Sequence, residues 1–169
     1  MNAIFQRRSV RQFQNTPVTT QQVETLLRAA MCAPSAGNQQ PWEFYVVQDR
    51  ETQARLSQCS PYAGCAAKAP LVLVPCAKKE GVGYPENVPM DLSAATENIL
   101  LEAVALGLGA VWLGIAPLEA RIAGVRKVLN IPETLEPFAL VAVGTPEKNI
   151  PAEDRYQPEK VHHWNHLST

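Results

Sequence analysis

The sequence predicts one domain over residues 1–169 in which helices and short strands follow one another. Its 169 residues are enough for one domain and short for two. Apolar types make up 46% of the chain and charged types 18%, so a core can be buried and disorder is not expected. Stretches with helical spacing of apolar residues are interspersed with short apolar runs bounded by turn residues, which predicts mixed α and β structure.

The elements follow in order from these patterns. A helix is predicted over Gln21–Met31, because its apolar residues from Val23 to Ala30 recur at i, i+3, i+4 and i+7. Short β-rich runs predict strands at Trp42–Val47, Leu71–Cys76 and Phe138–Val143, and a short strand or extended turn at Val111–Ile115. Longer runs of helix formers predict a polar surface helix over Arg50–Cys59 and an amphipathic helix over Leu118–Leu129.

The segment Asp91–Leu108 has helical length and is apolar on nearly all sides. Such a helix is buried on most of its surface, and in a protein of this size a second subunit is a natural cover. Its polar residues are Asp91, Glu97, Asn98 and Glu102. Hydrogen bonds to neighbouring elements are the simpler interpretation of these residues, with catalytic carboxylates as the alternative.

Charge and cysteine usage indicate a soluble cytoplasmic protein with no nucleic-acid, membrane or metal partner. Fifteen Lys and Arg against sixteen Asp and Glu leave a net charge of −1. The amino terminus carries no apolar secretory segment, and the apolar stretch after Glu102 is too short to span a bilayer. The four cysteines form no C-x-x-C pair, and His162, His163 and His166 are more simply solvated or interface residues than metal ligands.

The segment Arg7–Arg11 is the first candidate site. It carries three guanidinium groups and the hydroxyl of Ser9 within five residues. Arginine makes planar bidentate bonds to phosphate oxygens and serine adds a donor, so the group suits a phosphate monoester. A solvated basic segment is the alternative.

Two further segments suit a flat ligand. Ala33–Trp42 places small residues and three carboxamides between a helix and a strand, and amides can bind the edge of a heterocycle. An ordinary turn is the alternative. Gly107–Gly114 begins like a dinucleotide fingerprint but follows a helix and precedes a strand, which rules out a Rossmann site. It is interpreted as a glycine-rich turn with exposed N–H groups or as a helix C-cap. With no defensible nucleophile or acid–base pair, the chemistry is expected to reside in a bound cofactor.

Together these segments resemble the nitroreductase family of FMN-dependent oxidoreductases. The matching patterns are R-R-S-x-R-x-F at Arg7–Phe13, A-P-S-x-x-N-x-Q-P-W at Ala33–Trp42, G-L-G-x-x-W-L-G at Gly107–Gly114 and P-x-x-x-R-Y at Pro151–Tyr156. The resemblance implies an α+β fold, with a mostly antiparallel central sheet flanked by helices, in an intertwined homodimer. It also implies that residues 149–169 form an arm packing on the partner subunit, whereas composition alone leaves a strap over the same domain open.

The resemblance further implies an activity. FMN would be the cofactor and NADH or NADPH the reductant, and the flavin would pass a hydride to a nitroaromatic, quinone or similar acceptor in a ping-pong mechanism, with no catalytic side chain. A flavin-dependent dehalogenase or oxidase of the same fold and a non-enzymatic FMN binder are the alternatives.

The FMN-binding residues implied by the resemblance divide into three groups. The phosphate and ribityl end would be held by Arg7, Arg8, Ser9, Arg11 and Arg155. The opposite subunit would supply Pro34, Ser35 and Asn38, with Gln40 as a further polar contact. The backbone of Leu113 and Gly114 would face the ring. Many members carry a basic residue where this chain has Glu153, so the phosphate would depend more on the amino-terminal arginines.

Overall fold

Residues 2–164 are described by a computed structural model, in which helices cover both faces of a five-stranded sheet. Residues 165–169, which include His166 and the end of the predicted arm, lie outside the described residues. The helices are α1 Ala3–Gln6, α2 Thr20–Met31, α3 Arg50–Leu56, α4 Val88–Ala105 and α5 Glu119–Leu129. The strands are β1 Trp42–Val47, β2 Leu71–Lys78, β3 Gly109–Gly114, β4 Leu135–Pro137 and β5 Ala139–Gly144.

The sheet has the strand order β1-β2-β5-β3, and every pair of neighbouring strands is antiparallel. Strands β4 and β5 follow one another along β2, with Cys76 opposite Pro137 and Leu71 opposite Val143. They therefore act as one strand interrupted at Phe138. The predicted α+β class with a mostly antiparallel sheet is confirmed.

The core lies on both faces of this sheet. In β2, Leu71 and Leu73 pack with α2 and α4, whereas Val72 and Val74 pack with residues of α3 and α5. Successive strand side chains point to opposite faces, so a strand covered on both faces is apolar at every position. This is why Leu71–Cys76 appears in the sequence as a continuous apolar run.

Several boundaries differ from prediction for local reasons. Helix α4 begins and ends three residues earlier than predicted, because Pro89 suits a first turn and Gly107 adopts a left-handed φ of 72° beyond the helix. Helix α3 ends at Leu56 rather than Cys59. The short elements α1 and β4 have too few residues to produce a periodic pattern.

No helix within residues 2–164 is both long and apolar enough to cross a membrane.

All four cysteines are free. Burial raises the pKa of the Cys76 thiol to about 12, and burial also raises the pKa values of the Cys59 and Cys65 thiols. These three thiols are therefore protonated and weakly nucleophilic at neutral pH.

Candidate functional site

The amino-terminal segment attaches to the outer edge of β3. The backbone N–H of Val10 donates to the carbonyl of Ala110 at 3.0 Å, and Ser9 forms a parallel bridge with Ala110. Gly109 permits this approach, because a Cβ there would lie only 2.5 Å from a methyl carbon of Val10. The first candidate segment is thereby fixed against one end of an edge strand.

This attachment assembles a cationic cavity from both ends of the chain. Its lining includes Arg7, Arg8, Ser9, Arg11 and Arg155, together with residues 150–153. The structure thus brings all five predicted phosphate-end residues together within one chain. We call these five residues the arginine cluster.

Arg8 connects the two segments that form the cluster. Its guanidinium donates to the carbonyls of Arg7 at 2.7 Å, Pro151 at 3.0 Å and Glu153 at 3.3 Å. Carbonyl acceptors leave the positive charge of Arg8 unneutralised. Two of the five guanidinium N–H groups also remain for a ligand.

Two carboxylates accompany the other arginines. Glu97 of α4 lies 3.5 Å from Nε of Arg7, and Glu153 accepts from Arg155 at 3.0 Å. Arg11 donates to the carbonyl of Ser9 at 3.3 Å. The cluster therefore has four guanidinium groups against two carboxylates, a balance that favours an anion. The sequence comparison with the family showed that Glu153 stands where many members carry a basic residue. The contact between Glu97 and Arg7 was not predicted.

The outer edge of β3 continues from the cluster. Peptide groups along an antiparallel strand alternate in direction, so those of Trp112 and Gly114 face the same outer side as that of Ala110. Gly114 is exposed, and no atom lies within 4 Å of the position that a Cβ would take. A flat ligand can therefore approach the backbone closely here.

Leu113 does not belong to this edge. Its side chain is buried in the core and its peptide groups face β5 opposite Leu140. The predicted glycine-rich turn also needs correction: Gly107 follows Leu106, the C-cap of α4, whereas Gly109–Gly114 is an edge strand. The exposed N–H groups proposed from sequence are those of a strand edge, at Trp112 and Gly114.

The loop between α2 and β1 has an unusual backbone. Gly37, Asn38 and Gln40 adopt left-handed φ values of 55°, 54° and 47°. The Ser35 hydroxyl accepts from the Gln40 backbone N–H at 3.0 Å. Left-handed conformations at non-glycine residues cost free energy and persist where surrounding contacts impose them. Of the predicted residues on this loop, Pro34, Asn38 and Gln40 are exposed and Ser35 is partly buried.

Asp91 and Gln39 hold this loop in place. The buried Asp91 carboxylate accepts from the Ala36 backbone N–H at 3.0 Å and from the Gln39 side-chain amide at 2.7 Å. The Gln39 side chain also exchanges hydrogen bonds with the backbone of Tyr84 at 2.9 and 3.0 Å. The simpler interpretation of Asp91 is confirmed, as is that of Asn98, whose amide donates to the carbonyl of Ala29. Gln39 is one of the three carboxamides that the sequence singles out, but its role as an anchor was not predicted, because its partners Tyr84 and Asp91 lie far along the chain.

Asp91→Ala is expected to lower the free energy of unfolding by about 1–3 kcal/mol, because the Ala36 N–H and the Gln39 amide lose their shared acceptor. Asp91→Asn keeps one acceptor oxygen and should lose less. Urea denaturation measures both variants. Equal stability of wild type and Asp91→Ala would contradict the anchoring role.

The loop and the arginine cluster lie apart within one chain. The loop is anchored at Asp91, near the start of α4, whereas Arg7 contacts Glu97 six residues further along, about 9 Å along the helix axis. Within residues 2–164 the hydrogen bonds that this loop makes to later parts of the chain are with Asp91, Tyr84 and the backbone of Lys78, and none is with the arginines. Among residues 2–164 no group of three His, Cys, Asp or Glu side chains is placed to hold a metal ion.

Fold and site define an α+β protein in which a cationic cavity lies beside one end of an edge strand and an exposed glycine lies at the other end. The nitroreductase family model matches residues 4–61 and 58–145. An Archaeoglobus fulgidus protein, provisionally named NADH dehydrogenase/NAD(P)H nitroreductase, is 42% identical over 166 residues, which cover 96% of this chain and 95% of that protein. The chain belongs to the nitroreductase family.

Solved structures agree with this assignment. A crystal structure from Clostridium acetobutylicum, provisionally described as an NADH oxidase, is 44% identical with a TM-score of 0.92 and covers 95% of this chain and 97% of its own. An FMN-dependent nitroreductase from Clostridium difficile is 28% identical with a TM-score of 0.90 and covers 97% and 98%. Both similarities extend over nearly the whole fold.

Proposed function

We propose that this protein is an FMN-dependent oxidoreductase that takes a hydride from NADH or NADPH and reduces a nitroaromatic, quinone or similar acceptor by a ping-pong mechanism. The observation that carries the proposal is the combination, along β3, of the arginine cluster at one end and an open glycine edge at the other. The printed names of the relatives, which include NAD(P)H nitroreductase and FMN-dependent nitroreductase, support it.

The residues present fit FMN at both ends. The arginine cluster offers charge-assisted donors of the kind that bind a phosphate monoester. Ala110, beside the cluster, and Gly114 are four residues apart on β3, a span of about 13 Å. FMN likewise carries its phosphate and its ring at opposite ends of a ribityl chain. The absence of any side chain at Gly114 leaves room for the ring.

The residues of this chain would then bind and orient. Arg7, Arg8, Arg11, Arg155 and Ser9 would hold the phosphate, and the outward N–H of Gly114 would donate to an acceptor atom of the ring. When bound, FMN would supply the chemistry of hydride transfer between a nicotinamide and the second substrate. No side chain is required as a nucleophile.

The site is completed, in this proposal, by a second copy of the chain. The loop bearing Pro34, Ser35 and Asn38 lies away from the arginine cluster of its own chain, so it would serve the cluster of the partner. Tyr156 and Trp164 are 69% and 91% exposed in the single chain, which supports an arm that is covered by another subunit. Phe5 of α1 is 69% exposed as well.

The test of function is spectroscopic. The purified protein is saturated with FMN, unbound FMN is removed, and NADH or NADPH is added without oxygen. We expect a stoichiometric flavin absorbance that one or both nicotinamides bleach, and that a nitroaromatic or quinone restores. A bound flavin that neither nicotinamide bleaches would contradict the proposed reductase activity, and a protein that retains no FMN would contradict cofactor binding.

Trp164→Glu tests the proposed arm. If Trp164 is buried against a partner, a charge there must be desolvated and should weaken dimerisation strongly. Light scattering over a dilution series measures the change, with Val46→Glu, at an exposed apolar residue of β1, as the control. The same dimer dissociation constant in wild type and Trp164→Glu would refute a crossing arm at this residue.

A further inference from the structure

Arg121 is an unusual residue in the first turn of α5. It lies two positions after Glu119, at the positive end of the helix dipole. A cation there is unfavourable for the isolated helix, because the free N–H groups of the first turn already carry partial positive charge. A residue type that is unfavourable at its position in a helix is expected where another contact compensates for the lost helix stability.

Two contacts of Arg121 provide that compensation. Nη1 of Arg121 donates to the carbonyl of Gly114 at 3.0 Å. The guanidinium carbon lies 5.5 Å from the ring centroid of Tyr62, in a cation–π arrangement. Tyr62 is itself 72% exposed, so this contact lies at the protein surface. Arg121 is thereby held between the loop after α3 and the end of β3.

Gly114 needs such support more than any neighbouring residue of β3. It has no side chain, is exposed, and ends the strand. Glycine has the widest backbone freedom of any residue. The Gly114 carbonyl belongs to the peptide that Gly114 shares with Ile115, and a planar guanidinium on it restricts ψ of Gly114. The two peptides that meet at the Gly114 Cα are then held together, with the Gly114 N–H toward the outer edge.

The contact also determines what the edge can bind. With its carbonyl engaged by Arg121, Gly114 presents a donor to the outer edge, whereas its acceptor is already used. A ligand atom beside the Gly114 N–H is therefore selected as a hydrogen-bond acceptor. The proposed flavin offers such an atom in its ring.

We propose that Arg121, steadied by Tyr62, is a positioning residue that restricts the backbone of Gly114 through its carbonyl, so that the Gly114 N–H is a preformed hydrogen-bond donor for the flavin ring. This inference rests on the proposed function for the identity of the ligand. The ordering of Gly114 by Arg121 is a property of the chain alone.

The test uses two readouts that do not depend on turnover. Arg121→Gln removes the charge and the planar fork, and Arg121→Lys keeps a charge and a donor. Arg55→Gln is the matched control, because Arg55 lines the same groove as Arg121 from α3. The NMR order parameter of the Gly114 amide is measured in FMN-free protein, and the FMN dissociation constant is measured by fluorescence quenching.

Arg121→Gln is expected to lower the Gly114 order parameter and to raise the FMN dissociation constant about tenfold. Arg121→Lys should fall between Arg121→Gln and wild type, and Arg55→Gln should match wild type. Tyr62→Leu, which leaves Arg121 in place, should produce a smaller change in the same direction. The melting temperature of each variant should remain within a few degrees of that of wild type.

An unchanged Gly114 order parameter in Arg121→Gln would overturn the inference, whatever happens to FMN. A lowered order parameter with unchanged FMN affinity would overturn the role toward the flavin. If wild-type protein binds no FMN, the proposed function fails and the role toward the flavin fails with it. The order parameter would still report whether Arg121 orders the peptide.

Discussion

Gly114→Val is expected to abolish FMN binding while the protein remains folded. The site of a Cβ at Gly114 has no neighbouring protein atom within 4 Å, so the Cβ itself meets no steric conflict in the free protein. The same open space is where we propose that the ring approaches β3. A branched side chain there separates ring and backbone and should weaken FMN at least a hundredfold, about 3 kcal/mol.

The measurement is FMN titration by fluorescence, with thermal unfolding to verify the fold. Gly83→Val is the matched control, because Gly83 also has open space around the Cβ position but lies in the loop before α4. Gly83→Val should bind FMN like wild type. Tight FMN binding by a folded Gly114→Val variant would remove Gly114 from the site.

Arg8→Ala is expected to weaken FMN by more than the loss of one contact. Removal of a charge-assisted hydrogen bond to phosphate costs about 2 kcal/mol, roughly a thirtyfold rise in the dissociation constant. Arg8 also donates to the carbonyls of Pro151 and Glu153, so its removal releases the segment that carries Arg155. The loss should therefore exceed thirtyfold. It should decrease at high salt, because salt screens the attraction between Arg8 and the phosphate that only the wild type has.

Arg28→Ala provides the comparison for Arg8→Ala. Arg28 is exposed on α2 and pairs with Glu24, one helical turn away on the same helix. Its removal therefore changes the net charge of the protein as much as the removal of Arg8 does, but leaves the arginine cluster intact. Isothermal calorimetry with FMN at two ionic strengths measures both variants. Similar FMN affinities for Arg8→Ala and Arg28→Ala would show that Arg8 acts only through overall charge, which would contradict the proposed phosphate contact.

The secondary structure was largely predictable because the elements are strongly patterned. Trp42–Val47 has the predicted bounds, and α2 differs by one residue, where Thr19 and Gln22 form a capping box. The double-sided burial of β2 accounts for its unbroken apolar run. Strand β4 could not be predicted, because three residues ending in proline carry no period and are a strand only through pairing with β2.

The arginine cluster was predictable as a set of residues but not as an arrangement. Arg7, Arg8 and Arg11 stand out in the sequence, and the resemblance added Arg155. In the folded protein Arg8 donates three hydrogen bonds to backbone carbonyls, and Glu97 faces Arg7. These contacts form because segments that are far apart in the chain meet at one cavity. The same applies to Leu113, which is adjacent to Gly114 in sequence but faces the opposite side of the strand.

The sequence alone predicts the periodic elements, the cationic segment, the carboxamide loop and the family resemblance. It can do so because each of them is a local pattern or a short motif. Only the tertiary structure decides that Asp91 anchors the Ala36 and Gln39 side of the loop, and that Arg121 reaches Gly114. Such contacts join residues whose types are common and whose separation in the chain varies freely. A hydrogen bond between them forms because folding places a donor beside an acceptor, and no short stretch of sequence encodes that proximity.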